Sequence, residues 1–228
     1  MAAGGKGDDM LKKVYTCKTA DDVTAIFKTY IGGDRKKRIP KEYAQHRIGL
    51  ANKEGKECYF YLHYATKDEQ KWFPFSNFLK SPTTIDGVIY PTSETYFQCE
   101  KVNPKNLQGK GLSEEEVEAC RHKWQSMVGL YAGDAAKRGR DRDTRIAPDW
   151  DDQANPLCES AMYCALKAKF TQHADLRELL LSTAERRIVE DTAQSADYKW
   201  GCGADGTGQN LLGVILMRVR KDIRQEAA

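Results

Sequence analysis

Apolar residues recur at spacings of three and four along seven stretches of the chain, and at strand spacing along two. The first helical stretch, residues 21–30, carries Val23, Ile26, Phe27 and Tyr30 on one face and stops at Gly32-Gly33. Strand signals follow in the aromatic-rich residues 57–64 and in residues 84–90, where Asp86-Gly87 sits between two short β-prone runs as a hairpin turn does. Beyond them the periods are helical, over residues 93–102, 113–123, 128–138, 156–170, 175–182 and 209–224; Ser113-x-x-Glu116 reads as a capping box. The pattern predicts a mainly α (α+β) protein with a small antiparallel β element near its front. Residues 1–9, polar and Gly-rich, are expected to be disordered.

Length and composition narrow this picture. At 228 residues there is room for one full domain and an extension. Hydrophobic residues make up 40%, and the mean hydropathy of −0.68 places the chain among soluble proteins. A net charge of +3 is too weak to draw nucleic acid to the whole molecule, so any such attraction has to come from local patches. Seven cysteines with no C-x-x-C pair argue against a disulfide framework and against a zinc ribbon, and the four histidines have no ligand spacing, so no metal is expected. The longest late apolar run, residues 211–217, is too short for a membrane span, and no signal peptide is visible. These features point to a reducing compartment, cytosol or nucleus.

Four segments could carry chemistry. A helix starting about Ser93 puts Glu94, Gln98 and Lys101 at i, i+4 and i+7, a polar stripe that faces either water or a cleft. Upstream, Trp72 to Phe78 places aromatics around Ser76-Asn77, which fits core packing or a base-stacking wall. Two basic runs, residues 35–41 and 137–145, carry five positive charges each, and the second leads to Trp150; each fits a solvated loop or a phosphate-contacting patch. Finally Gly201, Gly203 and Gly206 spell G-x-G-x-x-G, but only 22 residues remain after Gly206, too few to complete a dinucleotide-binding unit. The remaining reading is a Gly-rich loop feeding a helix N-terminus whose free N–H groups could hold a phosphate.

The ordered motifs Phe75-Ser76-Asn77-Phe78, Tyr90-Pro91-Thr92-Ser93-Glu94-x-Tyr96-Phe97-Gln98-x-x-Lys101, Gly139-Arg140, Asp149-Trp150, Asp197-x-x-Trp200-Gly201 and Gly208-x-Asn210-x-Leu212-Gly213 resemble those of the NADAR family of YbiA-like N-glycosidases. The resemblance implies a YbiA-like catalytic domain over residues 56–226, preceded by an extension over 1–55. It implies cleavage of a bond between ribose C1 and an exocyclic aromatic amine, without a cofactor. Lys101 is then expected to form a Schiff base with the opened ribose, with Glu94 or Asp197 moving protons. Trp150 and Trp200 are expected to stack on bases, and Asn77, Gln98, Glu190 and Asn210 to contact ribose and diphosphate; Ser76, Phe78, Arg140 and Gly201 complete the expected substrate-binding set. Of the substrates the family implies, ADP-ribosylated guanine in DNA or RNA, releasing ADP-ribose, is preferred because of the two basic runs. The alternatives are ribosylamino-pyrimidine intermediates of riboflavin synthesis and a non-catalytic role as an ADP-ribose reader. A monomer is expected.

Overall fold

The computed structural model describes residues 6–61 and 69–226. The protein is a mainly helical α+β protein that divides into two compact units, one formed by the chain up to Ser76 and by residues 182–218, the other by 77–181 and from 219 onward.

The first unit opens with α1 (Lys6–Lys12), α2 (Ala20–Ile31) and α3 (Lys41–Glu54). The Thr19 hydroxyl accepts from the Asp22 N–H to start α2, and Gly32, at φ +57°, ends it in the left-handed region that glycine adopts without strain. Leu11 and Val14 pack with Val23, Phe27, Ile31, Ile39, Tyr43 and Ala44 in one apolar cluster that closes on Ala193 and Ala204. That burial corrects the expected disorder of residues 6–9: α1 is ordered because Leu11 anchors it, while residues 1–5 lie outside the described ones. Strand β1 (Glu57–Phe60) pairs in parallel with β4 (Arg187–Glu190), in the register Glu57 with Arg187 through Phe60 with Glu190. This pair revises the expectation that the β structure is antiparallel and confined to the front. The expected strand over 57–64 stops at Phe60, and its residues 62–64 lie outside the described segments.

In the second unit, β2 (Thr83–Ile85) and β3 (Val88–Tyr90) form the expected antiparallel hairpin. Asp86 and Gly87 both take positive φ, as its two-residue turn requires. Next comes α4 (Ser93–Glu100), with all eight residues buried, followed by α5 (Glu114–Met127), α6 (Ala132–Arg140), α7 (Leu157–Gln172) and α8 (Ala174–Ser182). The capping box at Ser113 and Glu116 is present. The helix expected over 128–138 starts instead at Ala132, after a bend at 128–130. The last helix, α9, covers Leu211–Glu226. Among the described residues no helix is long and apolar enough to cross a membrane, and the seven cysteines are free thiols.

Candidate active site

The start of α4 is fixed from three directions. The Thr92 hydroxyl accepts from the Thr95 N–H at 3.1 Å, the Thr95 hydroxyl donates to the Leu130 carbonyl at 2.8 Å, and the Glu94 N–H donates to the Asn77 carbonyl at 3.1 Å. Because the helix is buried all round, Glu94 and Gln98 do not form an exposed stripe. They form a chain: the Lys101 ammonium donates to Gln98 Oε1 at 2.6 Å, and Gln98 Nε2 donates to Glu94 Oε1 at 2.7 Å. Gly139 on α6 leaves room for this amide, since a Cβ there would stand 2.2 Å from Gln98 Oε1. The Lys101 carbonyl is pinned by the Ala147 N–H at 2.8 Å, and Lys101 Nζ lies 5.6 Å from the ring centroids of both Phe97 and Trp150.

This setting changes both ionisable ends. Burial raises the Glu94 carboxyl above its ordinary range, against the Gln98 hydrogen bond and the charges of Lys101 and Arg140. Burial also lowers the Lys101 amine, against the pull of Glu94, and the positive charge of Arg140 adds to the lowering. A carboxylate one helical face away would ordinarily keep the lysine charged; here desolvation outweighs it at both groups, and the pair is driven toward a neutral acid and a neutral amine. Arg140 stands exposed at the end of α6, suited to an anion.

The other expected residues of this unit vary in what they offer. Asn77 is buried, and its Oδ1 has no hydrogen-bond partner while its Nδ2 lies 3.3 Å from the Met162 sulfur, which leaves a buried acceptor able to take a donor. Phe78 is half-buried. Trp150 is buried, its ring 4.9 Å from that of Phe97, so it acts as a wall of the lysine site. In the second basic run, Arg138 is engaged by Asp141 and Asp143, and Arg145 by Glu116, leaving Lys137, Arg140 and Arg142 as its exposed cations outside those pairs.

The remaining residues gather in the first unit, where much of their polarity is already used. Ser76 is buried, with its N–H on the Phe73 carbonyl. Asp197 Oδ1 accepts from the N–H groups of Lys199 and Trp200, both at 2.9 Å, so this carboxylate shapes the turn that presents Trp200. Asn210, expected to contact ribose or diphosphate, has both side-chain polar atoms on β4: its Oδ1 accepts from the Glu190 N–H and its Nδ2 donates to the Ile188 carbonyl. Gly201 allows close approach, since a Cβ there would stand 2.1 Å from the Thr192 methyl. The expectation of free N–H groups ahead of α9 is overturned, because those of Gln209, Asn210, Leu211 and Leu212 donate to the carbonyls of Tyr198, Gly201, Lys199 and Trp200. What the sequence reading missed here is Arg47: it lies on a polar helix with nothing in its spacing to mark it as buried, yet it reaches Asp191 and the glycine turn.

The expected site residues of both units fall within residues 59–224, the stretch that matches the NADAR domain. The chain belongs to the NADAR family. It is 39% identical over 163 residues to the N-glycosidase YbiA of Escherichia coli (strain K12), covering 72% of this chain and 88% of that protein. It is also 31% identical over 166 residues to a riboflavin biosynthesis protein of Vibrio vulnificus (strain YJ016), covering 73% of this chain and 39% of that one. The NMR structure of E. coli YbiA superposes with a TM-score of 0.56 at 35% identity, over 75% of this chain and 88% of that structure. Helices α1 to α3 precede the stretch matched to the NADAR domain.

Proposed function

We propose that this NADAR protein is an N-glycosidase that removes ADP-ribose from guanine bases of nucleic acid through a covalent lysine intermediate. The observation carrying this reading is the Glu94–Gln98–Lys101 chain, buried at Glu94 and Gln98 and half-buried at Lys101, with its amine pushed down and its acid pushed up. A glycosylamine can open to an imine, and a neutral lysine can attack that carbon. The Lys101 nitrogen bonds to C1, the bond from C1 to the base amine breaks, and the departing amine takes a proton from Glu94. Water then adds to the protonated lysine imine and gives its proton back to the Glu94 carboxylate, and collapse releases the sugar aldehyde and the free lysine. Asn77 Oδ1 is assigned to a ribose hydroxyl and Arg140 to the diphosphate.

The exposed cations Lys137, Arg140 and Arg142 beside this chain favour a polyanionic substrate. The first basic run favours it less, because Arg35 bonds the Thr207 hydroxyl and Lys37 the Tyr30 carbonyl. The name of the Vibrio relative favours a second reading, cleavage of ribosylamino-pyrimidine intermediates of riboflavin synthesis.

Incubation with a guanine-ADP-ribosylated oligonucleotide, with and without borohydride, followed by intact-mass analysis of both polymer and protein, tests the proposal. The expected result is loss of the modification and a reduced adduct at Lys101. Lys169 is the internal control, a fully buried lysine lowered to about 7 by burial, which should stay unlabelled. An intact oligonucleotide under conditions that cleave a ribosylamino-pyrimidine would transfer the assignment to the second reading. Turnover with no adduct would remove the covalent route.

A further inference from the structure

Residues 140–151 bring to the Lys101 amine much of what sets its charge. Burial lowers the amine most, and the Trp150 ring, its centroid 5.6 Å away, is part of that cover. The charges of Arg140 and Arg142 lower it further, while those of Glu94 on α4 and of Asp151 oppose them. Apart from Glu94 these groups lie outside α4, so their effect depends on how the stretch is held against that helix. One attachment is direct: the Ala147 N–H donates to the Lys101 carbonyl at 2.8 Å, and the Trp150 N–H donates to the Ala147 carbonyl at 3.0 Å.

The other attachments come from one face of α5. Glu116, Cys120 and Lys123, at i, i+4 and i+7, each bond this stretch. Glu116 Oε1 accepts from Arg145 Nε at 3.1 Å, and Cys120 Sγ donates to the Arg145 carbonyl at 3.3 Å. Lys123 does most: its Nζ donates to the Asp141 carbonyl at 2.8 Å and to Asp143 Oδ1 at 2.6 Å. The Lys123 side chain is 1% exposed, against 47% for Asp143, whose carboxylate also accepts from Arg138 on α6. A buried ammonium recovers its desolvation cost only where such acceptors stand, so the loop is held to one shape. The hydrogen bonds of Lys123 and Arg138 in turn hold the Asp143 carboxyl down to about 2, which keeps this clamp charged through the neutral range.

We infer that Lys123 is a positioning residue for Lys101: it clamps residues 141–143 to α5 and so keeps Trp150, Arg140 and Arg142 around the amine. This rests on the proposed role of Lys101 as nucleophile and goes further, by giving a buried lysine that touches no substrate a part in how that nucleophile is kept neutral.

The test reads the Lys101 amine directly in the full chain, with no substrate. Trace acetic anhydride is applied across a pH series, and acetylation at Lys101 is followed by peptide mass spectrometry in the parent, Lys123→Met and Asp143→Asn. Lys123→Met removes the clamp without stranding a buried charge, because Asp143 is partly exposed and keeps Arg138. Asp143→Asn weakens the clamp from its exposed end and decides the question if Lys123→Met does not fold. The labelling midpoint of Lys101 is expected to rise by about one pH unit in Lys123→Met and by about half as much in Asp143→Asn. A midpoint that stays put or falls in either folded variant, whatever its melting temperature, overturns the inference. With the guanine-ADP-ribosylated oligonucleotide as substrate, the acid limb of kcat/KM should move to higher pH by the same amount, since activity is lost where the amine gains its proton. A limb that stays put while the labelling midpoint rises, or a parent that cleaves no substrate, removes the proposed function and leaves the clamp standing.

Discussion

Each unit sets an acid near a base, and the two arrangements shift in opposite directions, one toward charge and the other toward neutrality. In the first unit, Arg47 meets Asp191 directly through two hydrogen bonds. Burial opposes the guanidinium charge, and Asp191 more than restores it, holding the group above even its ordinary range. In the second unit, an amide stands between Glu94 and Lys101, and there burial is the largest influence on both groups, moving each toward neutrality. Burial acts at both sites; what differs is contact. A bidentate pair recovers its desolvation cost and becomes a fastening, whereas a spaced pair does not recover it and is left with shifted protonation, as the proposed chemistry requires.

Lys101→Ala should give the largest effect that separates the two, a loss of turnover of at least about three orders of magnitude at nearly unchanged melting temperature, measured by single-turnover cleavage. Arg47→Ala should do the reverse, lowering unfolding stability by about 3–5 kcal/mol in urea titrations because it strands a buried carboxylate. Replacing both partners, as Arg47→Met with Asp191→Leu, should recover much of that loss, and failure to do so would show that the carbonyl contacts matter more than the ion pair. Gln98→Ala should reduce turnover by about 10- to 100-fold, the cost of leaving Glu94 and Lys101 without their shared partner. Gly139→Ala should act in the same direction by displacing the same amide. The smallest effect is a change in pH profile. A lowered Lys101 puts the acid limb of kcat/KM below the ordinary lysine value, since activity is lost where the amine gains its proton. A raised Glu94 puts the alkaline limb above the ordinary carboxyl value, since activity is lost where the acid gives its proton up, and Glu94→Gln should remove that limb while leaving the other.

Helix α2 was legible because its apolar residues repeat on one face and glycine ends it, and the structure extends the expected 21–30 by one residue at each end. Its neighbour α3 was not legible: it begins at Pro40 with no side-chain cap, and a buried position on it is filled by Arg47 rather than by an apolar residue. Strand β4 was hidden for another reason, offering only Ile188 and Val189 between charged residues and pairing with a strand 130 residues away. In the active site, helical spacing foretold that Glu94, Gln98 and Lys101 share a face. It could not foretell that Gln98 would bridge the other two, or that Asp197 and Asn210 would spend hydrogen bonds on the backbone, because those partners come from turns and strand ends that periodicity does not describe.

The parallel pairing of β1 with β4 also sets an order of events during synthesis. The segment 77–181 leaves the ribosome before Arg187–Glu190 exists, so it can collapse while β1 and the preceding helices still lack a partner. Closing so long a loop is entropically slow, which makes the pairing of β1 with β4 the late step in completing the first unit, after the cluster around Phe27 has formed most of its contacts within residues 11–44.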